Sequence, residues 1–268
     1  MFAGVLILTN MSNVSLPGRR ALIAGGASLA GAALLADGRD PASARETSSS
    51  GPWALELFTS QGCSSCPPAD RELGACARRP DIVALSYHVD YWDYIGWKDR
   101  FATPETTARQ HTYASVLKQR YVYTPEMVVD GIAHDSGVTS GAVEALLVKA
   151  RRHSSRRATP ELVLPPSGAL TIKLAPFKLE NAPVDIVFAV YDRRHSTPVH
   201  AGENDGRMLE NFNVVRHFEV LARWNGSAAQ WTVPADRFKP DQGLAVLVQC
   251  ADQGPILGCN KLEPMATG

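Results

Sequence analysis

The 268-residue sequence has no excess of charge of either sign, because 27 acidic residues balance 27 basic ones. A chain without net charge has no general attraction to nucleic acid or to anionic lipid, so we expect neither as a partner. Cysteine is also scarce, and five residues are too few for a small disulfide-rich scaffold. The composition, 45% hydrophobic and 20% charged, is that of a globular protein long enough for two domains.

Long apolar runs are lacking as well. The weakly apolar segment 21–36 is shorter than the roughly 18 residues that cross a bilayer comfortably. Arg19 and Arg20 precede it directly, which is typical of a twin-arginine export signal. Small residues that signal peptidases accept end at Ala44. Residues 1–44 are therefore predicted to be a cleaved signal, with an uncleaved membrane anchor as the alternative.

Export would place the mature chain in an oxidising compartment. We expect a periplasmic or secreted protein without membrane contact after cleavage, and disulfides persist in such oxidising compartments. Translation starts at Met1 or at Met11, because residues 1–10 are not expected in front of an export signal of this kind. Residues 45–52 are polar and predict a flexible lead-in.

The main chemical motif is a pair of cysteines, Cys63 and Cys66, between a predicted buried strand over residues 53–59 and a predicted helix. Free N–H groups and the positive end of the dipole stabilise a thiolate at the first turn of a helix. Cys63 is therefore predicted to be the attacking nucleophile and Cys66 the resolving thiol. Half of a zinc site or an inert disulfide are the alternatives. The other three cysteines do not supply the second pair that zinc would need.

A second motif, Thr124-Pro125, immediately precedes a predicted strand over residues 126–129. The cis form is accessible at an X–Pro bond, and in the thioredoxin fold a cis-proline at this place lies against the cysteine pair. The order strand, Cys-x-x-Cys helix, strand, helix, Thr-Pro strand, Asp-Gly turn, strand, helix matches a minimal thioredoxin domain. We therefore predict an α/β fold with a thioredoxin-like domain over residues 53–156. Thr124 and Pro125 would hold an extended substrate segment.

Residues 160–268 follow a different pattern. Six strand-like runs, several alternating with period two, are separated by turns that contain Pro, Gly, Asn or Asp, and no long helical pattern appears. This pattern predicts an all-β, sandwich-like C-terminal domain.

Further candidates surround the cysteine pair. Glu56 on the first strand could accept the proton of the resolving thiol, since a desolvated carboxyl has a raised pKa; an ordinary salt-bridged Glu is the alternative. Trp92 and Trp97, in the loop after the second strand, could line a substrate groove or simply pack that loop onto the domain. Cys76 falls on the apolar face of the first helix and is predicted to be an inert buried thiol.

His88 and Asp90 follow the C-terminal end of the second strand, where functional loops of open α/β sheets gather. They are candidates for a proton relay. His88 could instead complete a copper site with the two thiols, or be a structural histidine. Asp90, Asp93 and Asp99 do not have EF-hand spacing, so we expect solvated or ion-paired acids there.

Cys250 and Cys259 flank a turn-like stretch near the C-terminus. A hairpin would bring them together, and a structural disulfide is predicted if the register brings their Cα atoms close enough.

Several strings in the chain resemble one known family. They cover residues 56–70, 88–93, 96–99, 123–125 and 213–216. Over residues 53–265 the chain resembles domain of unknown function 1223, a family of exported bacterial proteins with a thioredoxin-like domain and a β-rich extension. The resemblance implies that fold and export here, and it implies nothing about substrate. Cys250 and Cys259 are not part of the pattern, so the family lends them no role.

These observations predict an exported thiol–disulfide oxidoreductase that acts through the cysteine pair on protein or small thiol substrates. We expect a monomer whose partner is a protein thiol, a disulfide or a redox protein, and we expect no resident cofactor or metal. A copper-binding or carrier module that uses Cys63, Cys66 and His88 is one alternative. A non-catalytic interaction protein with a structural disulfide is the other.

Overall fold

The computed structural model describes residues 51–263, apart from 140, 154–155, 167 and 181–182. The predicted export signal over residues 1–44 and most of the lead-in lie outside these residues. The chain divides into two units, Met1–Arg45 and Glu46–Gly268, and all described residues lie in the second, which is compact. No helix within the described part of the chain is long and apolar enough to span a membrane.

The first part of the second unit alternates strands and helices as the sequence predicts. The elements are β1 Trp53–Thr59, α1 Pro67–Ala77, β2 Ile82–His88, α2 Pro104–Val116, β3 Glu126–Val129, β4 Ala133–Asp135 and α3 Ala142–His153. Helix α1 begins at Pro67 with Cys66 as its N-cap, because Pro67 suits the first helical position and the preceding residues form turns.

The strand order in this part is β2-β1-β3-β4. Strands β1 and β2 are parallel, as the helical crossover between them requires, and Trp53 pairs with Ile82. Strand β3 runs antiparallel to both β1 and β4. The β3–β4 turn has positive φ angles at Asp130 and Gly131, which is why the Asp-Gly pair predicted a hairpin here.

The second part consists of strands, as predicted, but the strands do not form a separate sheet system. They are β5 Glu161–Val163, β6 Leu170–Leu174, β7 Val184–Pro198, β8 Met208–Trp224, β9 Ala229–Val233, β10 Gly243–Cys250 and β11 Ile256–Leu262. Four of them extend the first sheet to eight strands in the order β11-β10-β7-β8-β2-β1-β3-β4. The remaining strands form a small sheet in the order β5-β6-β9.

The expected boundary between residues 156 and 160 therefore does not divide the sheet. Strand β8 pairs in parallel with β2 at Ser86 and Val214, so β2, with all its residues buried, is not an edge strand. Sequence patterns report which residues form strands, but they do not report which strands pair across more than one hundred residues. A sandwich-like layer is present on a smaller scale, where the three-stranded sheet packs on one face of β7 and β10.

Alternation along the strands assigns side chains to the two faces of the large sheet. Leu55 and Leu57 of β1 share a core with α1 and α3, whereas Ala54 and Phe58 share a core with Tyr113 of α2. The helix that carries the cysteine pair therefore covers the same face as Leu57. The candidate site lies at the C-terminal ends of β1 and β2 on that face.

Candidate active site

Cys63 and Cys66 form a disulfide whose Cα atoms are 5.4 Å apart. Cys66 is the N-cap of α1 with helical dihedral angles, and its backbone N–H donates to the Cys63 carbonyl at 3.3 Å. Both cysteines are fully buried, whereas Ser64 and Ser65 between them are exposed. The pair thus sits at the positive end of the helix, as predicted, with only its serine bridge facing solvent.

Thr124 and Pro125 lie beside this bridge, joined by a cis peptide bond. The Ser65 hydroxyl lies 3.3 Å from Cys63 Sγ and makes a long, 3.5 Å contact with the Thr124 carbonyl. The Trp92 indole N–H donates to the Thr124 hydroxyl at 2.7 Å. The two sequence motifs, 58 residues apart, therefore meet at the exposed serine bridge of the buried disulfide.

The aromatic loop packs against the turn that precedes the disulfide. A Cβ at Gly62 would lie 3.0 Å from Trp92 Cβ, so a larger residue would crowd the aromatic loop and glycine is favoured here. The Trp97 indole N–H donates to the Gln61 side-chain carbonyl at 3.2 Å. Both predicted tryptophans are thus near the cysteines, and both have hydrogen-bonding roles within the protein.

A tip from the second part of the chain closes over the disulfide, which the sequence did not predict. The turn Gly202–Asn204, between β7 and β8, places the buried Asn204 amide against two backbone carbonyls. Its Nδ2 donates to Gln61 and Cys63 at 2.9 Å each. The Ser64 backbone N–H donates to the exposed Glu203 carboxylate at 3.1 Å. No local signal could identify these contacts, because each spans about 140 residues of sequence.

His88 forms a buried ion pair with Asp99, which we expected to be a solvated or paired acid. His88 Nδ1 lies 2.6 Å from Asp99 Oδ2, and both side chains are fully buried. Burial lowers the pKa of His88, but the charge and the hydrogen bond of Asp99, together with the charge of Asp70, outweigh burial, and the pKa is raised. Burial likewise raises the pKa of Asp99, yet His88 and two backbone N–H donors bring it below its usual value. The pair is therefore charged.

Asp90 does not join this pair. Its carboxylate accepts from the Thr107 hydroxyl at 2.7 Å, and its backbone N–H donates to the same hydroxyl at 3.1 Å. The residue fastens the aromatic loop to α2, so only His88 of the two predicted relay residues is part of the buried network.

A second buried acid, Asp70, lies on α1 one turn after Cys66 and was missed by sequence reasoning. Its backbone N–H donates to the Cys66 carbonyl at 3.1 Å, and its side chain is buried. Burial raises the pKa of Asp70 to about 7, with His88 opposing the shift. The helical spacing of Cys66, Asp70 and Leu73 on the apolar face of α1 was a signal that could have found it.

Glu56 lies on the opposite face of the sheet and is not brought to the cysteines. It shares its face with Ala54 and Phe58, and its carboxylate is 2.7 Å from the Arg109 guanidinium and accepts a hydrogen bond from the Tyr113 hydroxyl. Successive side chains of a strand point to opposite faces, so Glu56 points away from the face that α1 covers. Glu56 is therefore the salt-bridged residue given as the alternative.

The predicted disulfide between Cys250 and Cys259 is wrong. Both are free thiols, as is Cys76. Cys259 pairs in register with Leu247 and shares its core, while a β-bulge and a five-residue turn place Cys250 opposite Pro255. The register thus prevents the bond. Cys76 is buried as expected, and burial raises its pKa to about 11.

No cluster of three or more His, Cys, Asp or Glu side chains within the described residues is arranged to hold a metal ion. His88 directs Nδ1 to Asp99, and the two sulfurs are bonded to each other. The copper alternative therefore has no supporting geometry in this part of the chain.

Comparison with known proteins assigns the family. Residues 54–249 match the family model described as protein of unknown function, DUF1223. The chain belongs to the DUF1223 family. The resemblance seen in the sequence is thereby confirmed. No curated protein matches this DUF1223 chain.

A solved structure is similar to this DUF1223 protein over most of its length. It is the X-ray crystal structure of protein AGR_C_4864 from Agrobacterium tumefaciens, with 30% sequence identity and a TM-score of 0.71. The match covers 82% of this chain and 97% of that chain. The solved structure therefore has a fold similar to the one described above.

Proposed function

We propose that the protein is an exported thiol–disulfide oxidoreductase that acts through Cys63 and Cys66 on protein or small thiol substrates. The main support for this proposal is that the disulfide at the start of α1 lies beside the Thr124–Pro125 segment. The strand order β2-β1-β3-β4, with one parallel and two antiparallel pairings, supports a thioredoxin-like domain in this part of the sheet.

The chemistry follows from the position of the two sulfurs. A substrate thiolate attacks Cys63 Sγ, the Cys63–Cys66 bond breaks, and the electron pair leaves on Cys66 Sγ, which the helix start stabilises as a thiolate. A second substrate thiolate then attacks the substrate sulfur of the mixed disulfide. This step releases Cys63 as a thiolate and the substrate as its disulfide. The protein disulfide has been reduced and two substrate thiols oxidised; the reverse sequence reduces a substrate disulfide.

The exposed serine bridge and Thr124 mark the side from which a partner approaches. Ser64 and Ser65 are the exposed residues of the motif, and the Thr124 carbonyl lies next to them. A partner chain that displaces the weak Ser65 contact gains a backbone acceptor beside its own cysteine. In this proposal Trp92 positions Thr124, and Trp97 positions the turn at Gln61.

The decisive test is catalysed dithiol–disulfide exchange on a protein substrate, with wild type compared with Cys63→Ser and Cys66→Ser. We expect exchange by wild type, loss in Cys63→Ser, and an accumulating mixed disulfide in Cys66→Ser. Cys76→Ser is the matched control, because this thiol is free and buried away from the pair. Equal rates in wild type and Cys63→Ser would contradict the proposal.

One observation favours a second candidate, an interaction protein with a structural disulfide. Both cysteines are fully buried, and Asn204 ties the Cys63 carbonyl to the β7–β8 tip. A reduction potential below about −300 mV, combined with no exchange activity, would select this alternative. Export rests on residues 1–44 alone, and the N-terminal sequence of the mature protein, expected to begin after Ala44, tests it.

A further inference from the structure

Four buried polar side-chain atoms converge beneath the first turn of α1. Within the described residues, Thr59 Oγ1, Asp70 Oδ1, His88 Nε2 and Asn211 Nδ2 are buried and make no hydrogen bond of normal length. Thr59 pairs in register with His88 at the ends of β1 and β2, and Asn211 reaches the Asp70 carboxyl from β8. Thr59 and Asn211 lie close enough to Asp70 to lower its pKa, so these polar groups surround one buried carboxyl, an arrangement that native cores rarely keep.

Asp70 is the buried acid one helical turn after the resolving cysteine. Residues four apart on a helix lie on the same face, and both Cys66 and Asp70 are buried on that face. Glu56, the acid expected for this role, is held by Arg109 on the other side of the sheet. Asp70 also has no salt-bridge partner among the described residues, whereas Glu56 has one.

We propose that Asp70 exchanges the proton of Cys66 during thiol–disulfide exchange, with the His88–Asp99 ion pair as its positioning neighbour. This inference rests on the proposed function. When the bond to Cys63 breaks, the Cys66 thiolate takes the proton of the neutral Asp70 carboxyl, which becomes a carboxylate. In the reverse direction the Asp70 carboxylate takes the Cys66 proton. The new thiolate then attacks Cys63 Sγ in a mixed disulfide and expels the substrate thiolate.

The charges around Asp70 suit this exchange near neutral pH. Burial raises its pKa to about 7, the His88 charge lowers it, and Asp99 raises it. Arg216 on β8 in turn lowers the pKa of His88. A proton carrier works best when its pKa is close to the pH at which it operates.

The test is a single-turnover measurement of the resolution step in the full chain. Reduced protein carrying Cys250→Ser, which removes the partly exposed free thiol, is mixed with one equivalent of 5,5′-dithiobis(2-nitrobenzoate). The first release of coloured thiolate reports attack by Cys63, and the second reports resolution by Cys66. Both rates are followed from about pH 5 to about pH 9.

We expect the wild-type resolution rate to rise with pH and to level off near the Asp70 pKa of about 7. Asp70→Asn should slow the second release at least about tenfold near pH 7 and abolish the levelling-off of its rate with pH. The rate of the first release should be unchanged. Glu72→Gln, an exposed acid on the same helix, is the matched control and should leave both rates unaltered.

Asp99→Asn gives an independent reading. Without the Asp99 charge His88 loses its proton, and the lowering effect of His88 on the Asp70 pKa disappears. The substitution also removes the smaller raising effect of Asp99, so the rate should level off at a higher pH than in wild type. An Asp70→Asn protein that resolves with the wild-type rate and profile would overturn the inference and leave the proposed function standing. Absence of a second release in wild type would overturn both.

Discussion

The buried Asp70 carboxyl should make the protein less stable as the pH rises, and Asp70→Asn should remove that dependence. The pKa of this carboxyl is about 7 in the folded protein against an ordinary 3.8. Between these values the native state keeps a proton that the unfolded chain has released. The free energy of unfolding therefore falls by up to about 1.4 kcal/mol per pH unit. Between the two pKa values the free energy of unfolding falls by about 4 kcal/mol in total, and the full loss is reached above pH 7.

The assay is guanidinium unfolding of the oxidised wild type and Asp70→Asn at about pH 4, 6 and 8. Asparagine is close in shape to the neutral carboxyl, so the two proteins should be nearly equal at the lowest pH. The variant should be more stable by a few kcal/mol at the highest. Glu72→Gln should change stability by less than about 0.5 kcal/mol and without a pH trend. A stability difference independent of pH, or a variant less stable than wild type at about pH 8, would refute the burial argument.

Three further outcomes follow from the contacts. Asn204→Ala removes the side-chain donor to the Gln61 carbonyl and one of the two donors to the Cys63 carbonyl, so it should cost about 1–3 kcal/mol and speed reduction of the disulfide by dithiothreitol; an unchanged reduction rate would speak against a covering role. Arg109→Met leaves the Glu56 carboxylate buried and unpaired and should cost about 3–5 kcal/mol in urea unfolding; a loss under about 1 kcal/mol would contradict the pairing. Alkylation of the denatured, unreduced mature protein should label only three thiols, those of Cys76, Cys250 and Cys259. A count of one would show that Cys250 and Cys259 are bonded to each other.

The parts of the fold that local chemistry determines were predictable. Helix α2 begins at Pro104 after the N-cap Thr103, whose hydroxyl accepts from the Thr106 backbone N–H, as a Thr-Pro-Glu start indicates. The buried strand β1 coincides with the predicted run 53–59 because an apolar segment bounded by turns has few other solutions. The cysteine pair and the Thr124–Pro125 motif were likewise identifiable from spacing and residue type alone.

The features that sequence reasoning missed depend on register and on long-range pairing. The disulfide expected between Cys250 and Cys259 failed because a bulge between Val248 and Gln249 shifts the hairpin. Glu56 was predicted to act on the cysteines because it is close to them along the chain. Its side chain points to the opposite face of the strand, which nearness in sequence does not reveal. A one-residue difference in a strand reverses the side to which a side chain points.

The role of the second part of the chain also changes once the pairing of β8 with β2 is known. A separate domain would dock a partner at a distance, whereas this extension supplies groups to the site itself. Its turn at Asn204 holds the Cys63 carbonyl, and Asn211 of β8 faces the buried Asp70. A carboxyl that costs about 4 kcal/mol when ionised is expected to be replaced unless it has a use, because proteins have only about 5–15 kcal/mol of net stability. In the proposed mechanism, the extension and the buried acid are therefore parts of one environment around the Cys63–Cys66 pair.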